Sequence, residues 1–285
     1  VTETTVWIDP DGVSTTLDVN WDVSGRFMPP IRFISEGVPG EDGEFFREVT
    51  HGPRDFLMSV DLSAATESAL RLLLRSFVKS MNPKRGRGKV RVTSPVGDQR
   101  EINCWYSAGL EMEERLGDNS GPNWQQVPLK MRALDPYWYD VSPTSQTFAV
   151  TTLVPSFFPI FPLKLTASEL AVDDSIDNTG DEETWPVWTI EGPGSGIKLS
   201  NLSTGEFIWL PSVNLVAGQT LVIDTRPGYK SVVIDSTVSA YSELSNDSVL
   251  WALAEGTNSV RLEMSGADDS LSGLSVSYYR KFLSP

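Results

Sequence analysis

Only one stretch of this chain carries a helical period, and that limits the fold more than anything else in the sequence. In SAATESALRLLLRSFVKSMNP, residues 63–83, the apolar side chains Leu70, Leu73, Leu74, Phe77, Val78 and Met81 recur at the spacing of one helix face. Ser63 is placed to cap the start, and Asn82-Pro83 stops the run, because the residue before a proline is pushed out of the helical region. Almost everywhere else the chain reads as short β-rich runs punctuated by Gly, Asn, Asp and Ser. TLDVNW (residues 16–21) alternates apolar and polar residues, and 30–35 and 54–62 read as half-buried strands in the same way. KVRVTSPVGDQREINCWY forms two strands around a Pro-Val-Gly-Asp turn, and GLEMEERLGDNSGPNWQQVPLKMRAL two more around a longer loop. The expected fold class is mainly β with one N-terminal helix laid on a β-sandwich-like domain, followed by a second, all-β sandwich.

Texture and charge divide the chain. Residues 142–164, SPTSQTFAVTTLVPSFFPIFPLK, interrupt an aromatic-rich run with Pro155, Pro159 and Pro162, which forbids a helix and disfavours a central strand. This predicts a domain over 1–141, a proline/aromatic connector over 142–164 and a second domain over 165–285. Residues 1–141 carry 16 basic and 21 acidic side chains, and residues 142–285 carry 7 and 17. Most of the positive charge therefore belongs to the first domain.

Several function classes find no support. The lone cysteine, Cys104, rules out an internal disulfide and any multi-cysteine zinc site, and its strand context reads as a small buried hydrophobe. With one histidine, His51, the chain cannot build a two-histidine metal motif. A nucleophile elbow is also missing: GPGSG (192–196) has Pro193 in its interior and lacks the Gly-x-Ser-x-Gly order. The acidic run 173–183, DDSIDNTGDEE, resembles a calcium loop, but Asn178 stands where the turn glycine belongs and Thr184 where the bidentate glutamate belongs. It reads as a solvated loop. No enzyme, metal or cofactor is expected. No apolar run approaches the roughly 20 residues of a membrane-spanning helix, and the first residues, VTETTVWIDPDG, lack the pattern of a signal peptide.

One segment stands out against the acidic background. From Ser68 to Gly97 there are eight basic residues and no acidic one, and five of them, Lys84, Arg85, Arg87, Lys89 and Arg91, fall within SMNPKRGRGKVRV. As a phosphate cradle, GRGK has Pro83 in place of the first glycine and Val90 in place of the magnesium-binding hydroxyl. As a nucleic-acid patch it lacks aromatic interleaving, and the rest of the chain would repel a polyanion. A joint between subunits uses both signs of charge. Those five residues are accordingly the interface candidates, and no nucleic-acid or membrane partner is expected.

Taken in order, these motifs resemble the distal tail protein (Dit) family of long non-contractile-tailed phages. The resemblance lies in Asn82-Pro83-Lys84-Arg85-Gly86-Arg87-Gly88-Lys89-Val90 after the helix, in GLE at 109–111 opening a strand, and in DPYWY at 135–139 closing the domain. The second half is similar to the family's galectin-like domain through PVWTIEG (186–192), GQTLVIDT (218–225), LWALAEGTN (250–258) and the closing SVSYYRKFL. The resemblance implies a structural virion protein at the distal end of the tail. It further implies a homo-oligomer, a hexameric ring joining the tail tube to tip, baseplate or fibre proteins, with galectin-like β-sandwiches projecting outward. The glycines of NPKRGRG then serve a turn, Gly86 and Gly88 permitting positive φ or close backbone approach. The alternative is a carbohydrate-binding module or host-surface adhesin, with tryptophans such as Trp185, Trp188, Trp209 and Trp251 as stacking platforms. Trp188 and Trp209, in alternating strands, are expected in the core.

Overall fold

The computed structural model describes residues 3–37, 39–40, 42–148 and 169–285, and gives the backbone alone for residues 21, 22 and 169–171. Most of the proline/aromatic connector, with Phe157, Phe158 and Phe161, lies outside the described residues. The chain divides into two compact units, one of residues 1–141 together with 282–285, the other of residues 142–281.

In the first unit, strands β1 (Thr4–Ile8), β2 (Ser14–Ser24), β5 (Arg54–Ser63), β6 (Gly88–Thr93), β7 (Gln99–Ala108) and β8 (Trp124–Ala133) pair in a closed circuit, β6-β1-β2-β5-β8-β7 and back to β6. Closure leaves these six strands without a free edge. The period-two alternation of β5 and β8 sends Phe56, Met58, Val60, Leu62, Val127, Leu129 and Met131 into one core with Trp7, Ile102 and Trp138. Cys104 is fully buried there, and burial pushes its thiol well above the ordinary range. Short β9 (Trp138–Asp140) pairs with β7 and anchors the DPYWY segment through buried Trp138.

Helix α1 (Glu67–Ser80) lies against this core by Leu70 and Phe77, with Leu73 and Leu74 partly buried. Its cap is Thr66, whose Oγ1 accepts from the Ala69 amide at 3.2 Å; Ser63, the expected cap, is the last residue of β5. Met81 is buried at its end, but Val78 is 51% exposed, so the apolar stripe overhangs the core. Strands β3 (Ile31–Glu36) and β4 (Phe45–His51) pair only with each other among the described residues. The segment expected as a half-buried strand is thus exposed along its whole length. GLE does not open a strand either: residues 109–115 are loop. Gly109 lies at φ 118°, where a Cβ would fall 2.1 Å from the Pro128 carbonyl oxygen.

The second unit is a β-sandwich. One sheet runs β10-β19-β12-β15-β16-β17: β10 (Thr144–Phe148), β19 (Gly273–Tyr278), β12 (Val187–Glu191), β15 (Thr220–Asp224), β16 (Ser231–Ile234) and β17 (Val238–Ser239). The other runs β11 (Glu169–Asn178), β18 (Gly256–Ser265), β13 (Gly194–Asn201) and β14 (Phe207–Leu215). Their inward residues form one core around Trp188 and Trp251, whose rings meet edge to face at 5.0 Å. The start of the expected connector is strand β10, with Phe148 buried in that core. The acidic run is not a solvated loop. Its first half is β11, where Asp173 holds Arg261 of β18 through two bonds of 2.5 and 2.6 Å, and Asn178 is buried and donates to the Glu182 carbonyl. Arg261 and its hydrogen bonds keep the Asp173 carboxyl below the usual carboxylate range. Among the described residues no helix is long and apolar enough to cross a membrane.

Candidate assembly interface

The basic segment lies where α1 gives way to β6. Asn82 caps a 3-10 turn over Pro83–Arg85, accepting from the Lys84 amide, and Gly86 closes it at φ 123°, a conformation that side chains other than glycine rarely adopt. Gly88 takes the other glycine role: a Cβ there would stand 2.3 Å from the Trp7 ring and 2.6 Å from the Ile8 carbonyl oxygen. Because Trp7 is buried and the Ile8 carbonyl is backbone, neither can give way cheaply. Gly88→Ala is expected to destabilise the first unit by about 2–3 kcal/mol, measured as a lower urea midpoint with an unchanged slope.

The five candidate cations do not face outward together. Arg85 turns back on Asp9, at 3.5 Å, and on Asp11, and Lys89 reaches Glu101 at 2.8 Å. Arg91 lies directly opposite Glu101 across the β6–β7 pair and bonds it through Nε at 2.9 Å. Glu101 is buried, so this triad neutralises charge within the sheet. Lys84 and Arg87 are exposed and have no acidic partner among the described residues. Arg75 and Lys79 on α1 are in the same state, whereas Arg71 pairs with Glu114 at 3.0 Å. Half of the eight-cation cluster is therefore spent at home, and half is offered to solvent.

Beside those free cations, α1 and the 109–111 loop enclose a groove of ≈ 520 Å³ lined by Val78, Met81, Tyr106 and Leu110, with Arg75 and Lys79 on its rim. Tyr106 Oη accepts from the Leu110 amide, and the Gly109 amide holds the Glu111 carboxyl below its usual range.

The residues weighed for other chemistry lie apart. His51, in β4, places Nδ1 2.9 Å from the Tyr137 hydroxyl with the rings edge to face. Among the described residues no three His, Cys, Asp or Glu side chains cluster as a metal site would need. Trp188 is in the core as expected, but Trp209 is 42% exposed on β14, across from Lys198 of β13. Two-residue alternation makes both positions look alike in sequence; only the register of the four-stranded sheet turns Trp209 outward.

Residues 179–282 match the family model of the siphovirus-type tail component, C-terminal domain. Among solved structures, the chain is similar to the crystal structure of the Dit protein (gp 19.1) of phage SPP1, presented as a paradigm of the hub adsorption apparatus in phages infecting Gram-positive bacteria. That likeness has 15% identity and a TM-score of 0.68 over 99% of this chain and 100% of that one. A weaker likeness, 10% identical with a TM-score of 0.49 and complete coverage of both chains, is to the phage p2 baseplate in its activated conformation with strontium. No curated protein matches by sequence. The resemblance to distal tail proteins carried by the motifs holds: residues 179–282 match the siphovirus-type tail component model, and the chain shares the fold of the SPP1 Dit protein along its length.

Proposed function

We propose that this protein is a structural component of the distal end of a long non-contractile phage tail, assembling with copies of itself into a hexameric ring that joins the tail tube to tip, baseplate or fibre proteins. The observation that carries this reading is the tail-component family match over 179–282 in a chain whose whole length shares the Dit fold. Under it, residues 1–141 are the ring-forming domain and the β-sandwich is a projecting, galectin-like domain. Lys84 and Arg87 are the outward members of the five candidates, while Arg85, Lys89 and Arg91 hold the turn and strand that present them. The role is architectural, with no catalytic step assigned to any residue.

Native mass spectrometry of the whole chain, with electron microscopy of tails carrying a tagged copy, tests this reading. A six-fold mass and label at the distal tail end are expected. Label absent from tails overturns the proposal.

A second reading, saccharide binding, has one observation in its favour: the Trp209 indole stands half-exposed on a sheet face that also carries Lys198, Glu263 and Arg261. Quenching of tryptophan fluorescence by host-wall glycans, lost in Trp209→Ala, would support it.

A further inference from the structure

We infer that the β3–β4 ribbon of one copy lies in the groove beside α1 of the next, making a head-to-tail joint between copies of this chain. Two surfaces of the first unit stand open, and each supplies what the other lacks. The ribbon is a two-stranded sheet with no third strand among the described residues, a form that is marginal in water unless something packs on it. Phe33 pairs across from Val49, and Ser35 from Phe46, so Ile31, Phe33, Phe46 and Val49 share one face. Phe33 is 69% and Phe46 65% exposed. Apolar side chains gathered like this on a surface mark an association site.

Charge selects the partner. Residues 31–51 carry five acidic side chains against two basic ones, and Arg47 is already engaged by Glu36. Asp42 and Glu44 are exposed at the end of the ribbon, and Glu44 accepts from the Ser35 hydroxyl on the apolar face. The groove has the opposite net character: an apolar floor that includes half-exposed Val78, unpaired Arg75 and Lys79 against a single carboxylate, Glu111, which is held by the Gly109 amide, and Lys84 and Arg87 on the adjoining turn. An apolar, acidic ribbon matches an apolar, basic groove in both terms. Both halves lie on the same chain, so a second copy is the occupant. Because the two surfaces differ, the contact is heterologous and repeats from copy to copy until the ring closes. The joint deepens the ring reading above and rests on it.

The test uses the full chain in sedimentation velocity at low salt, with circular dichroism to confirm folding. Arg75→Glu with Lys79→Glu, and separately Asp42→Lys with Glu44→Lys, are each expected to weaken self-association by about tenfold or more, since each sets like charges face to face. Combining all four substitutions is expected to recover association to within about threefold of wild type, because the charges are again opposite. As a second readout, Phe46→Cys with Val78→Cys in one chain should give a ladder of disulfide-linked oligomers on oxidation; the native Cys104 is buried and does not interfere. If wild type assembles while the four-fold variant is no better than either pair and no ladder forms, the joint is wrong and the ring reading stands. A chain that stays monomeric at its highest soluble concentration yet enters tails also overturns the joint. A chain that neither self-associates nor enters tails removes the ring reading as well.

Discussion

Deleting residues 282–285 is expected to destabilise the N-terminal unit by roughly 3–5 kcal/mol, although these residues are 141 positions beyond its last strand-bearing segment in sequence. Phe282 is 5% exposed in the core of the first unit, with the Arg100 guanidinium 3.7 Å from its ring centroid. Arg54 is fully buried, and desolvation pushes its pKa down to about 10. What offsets that cost is a pair of backbone acceptors, the Arg26 carbonyl at 2.6 Å and the Leu283 carbonyl at 2.9 Å. Arg100 likewise donates to the Ser284 carbonyl at 2.7 Å. Truncation removes a large buried ring and one of two acceptors from a buried cation in a single step. Urea unfolding of the full chain and of residues 1–281, followed through the first unit, measures the effect. A fragment of residues 1–141 should share the lower midpoint. An unchanged midpoint would mean that the tail contributes no net stability there.

In the second unit, Trp188→Ala is expected to cost about 3–5 kcal/mol. Trp188 is fully buried between Ile223 and Val276 on its neighbouring strands, and its ring meets Trp251 edge to face. Removing it opens a cavity between two sheets that are held apart by other large side chains, so collapse is restricted. Trp209→Ala, by contrast, should cost under about 1 kcal/mol, because its side chain is already partly in water. Thermal unfolding of the two variants separates them: a large drop in midpoint for position 188 and a small one for position 209. Equal drops would mean that the outer face of β14 packs more tightly than its exposure indicates.

Much of the fold was legible in the residues because it depends on local periodicity. The 3.6-residue stripe of Leu70, Leu73, Leu74 and Phe77 specified α1, and Asn82-Pro83 its end, since backbone sterics operate within a few residues. Alternation likewise marked β5, β6 and β8, and NPKRGRG marked a glycine-dependent turn. The order of the motifs carried the resemblance to distal tail proteins. Where periodicity was ambiguous, the reading slipped. Thr66 rather than Ser63 caps α1 because β5 continues through Ser63 in pairing with Trp124, a partner 61 residues away.

What only the tertiary structure decided is which of several equivalent side chains meets which neighbour. SMNPKRGRGKVRV announced positive charge, but the division of that charge into Arg85, Lys89 and Arg91, neutralised by Asp9, Asp11 and Glu101, and Lys84 and Arg87, left outward, depends on pairing β6 with β1 and β7. The exposure of the β3–β4 ribbon follows from the same cause. Its alternation is that of any half-buried strand, and it stays open because the six-stranded circuit closes without it. Sequence period reports which residues share a face of an element. Whether that face is covered is a property of strand order, and strand order is set by contacts far apart in the chain.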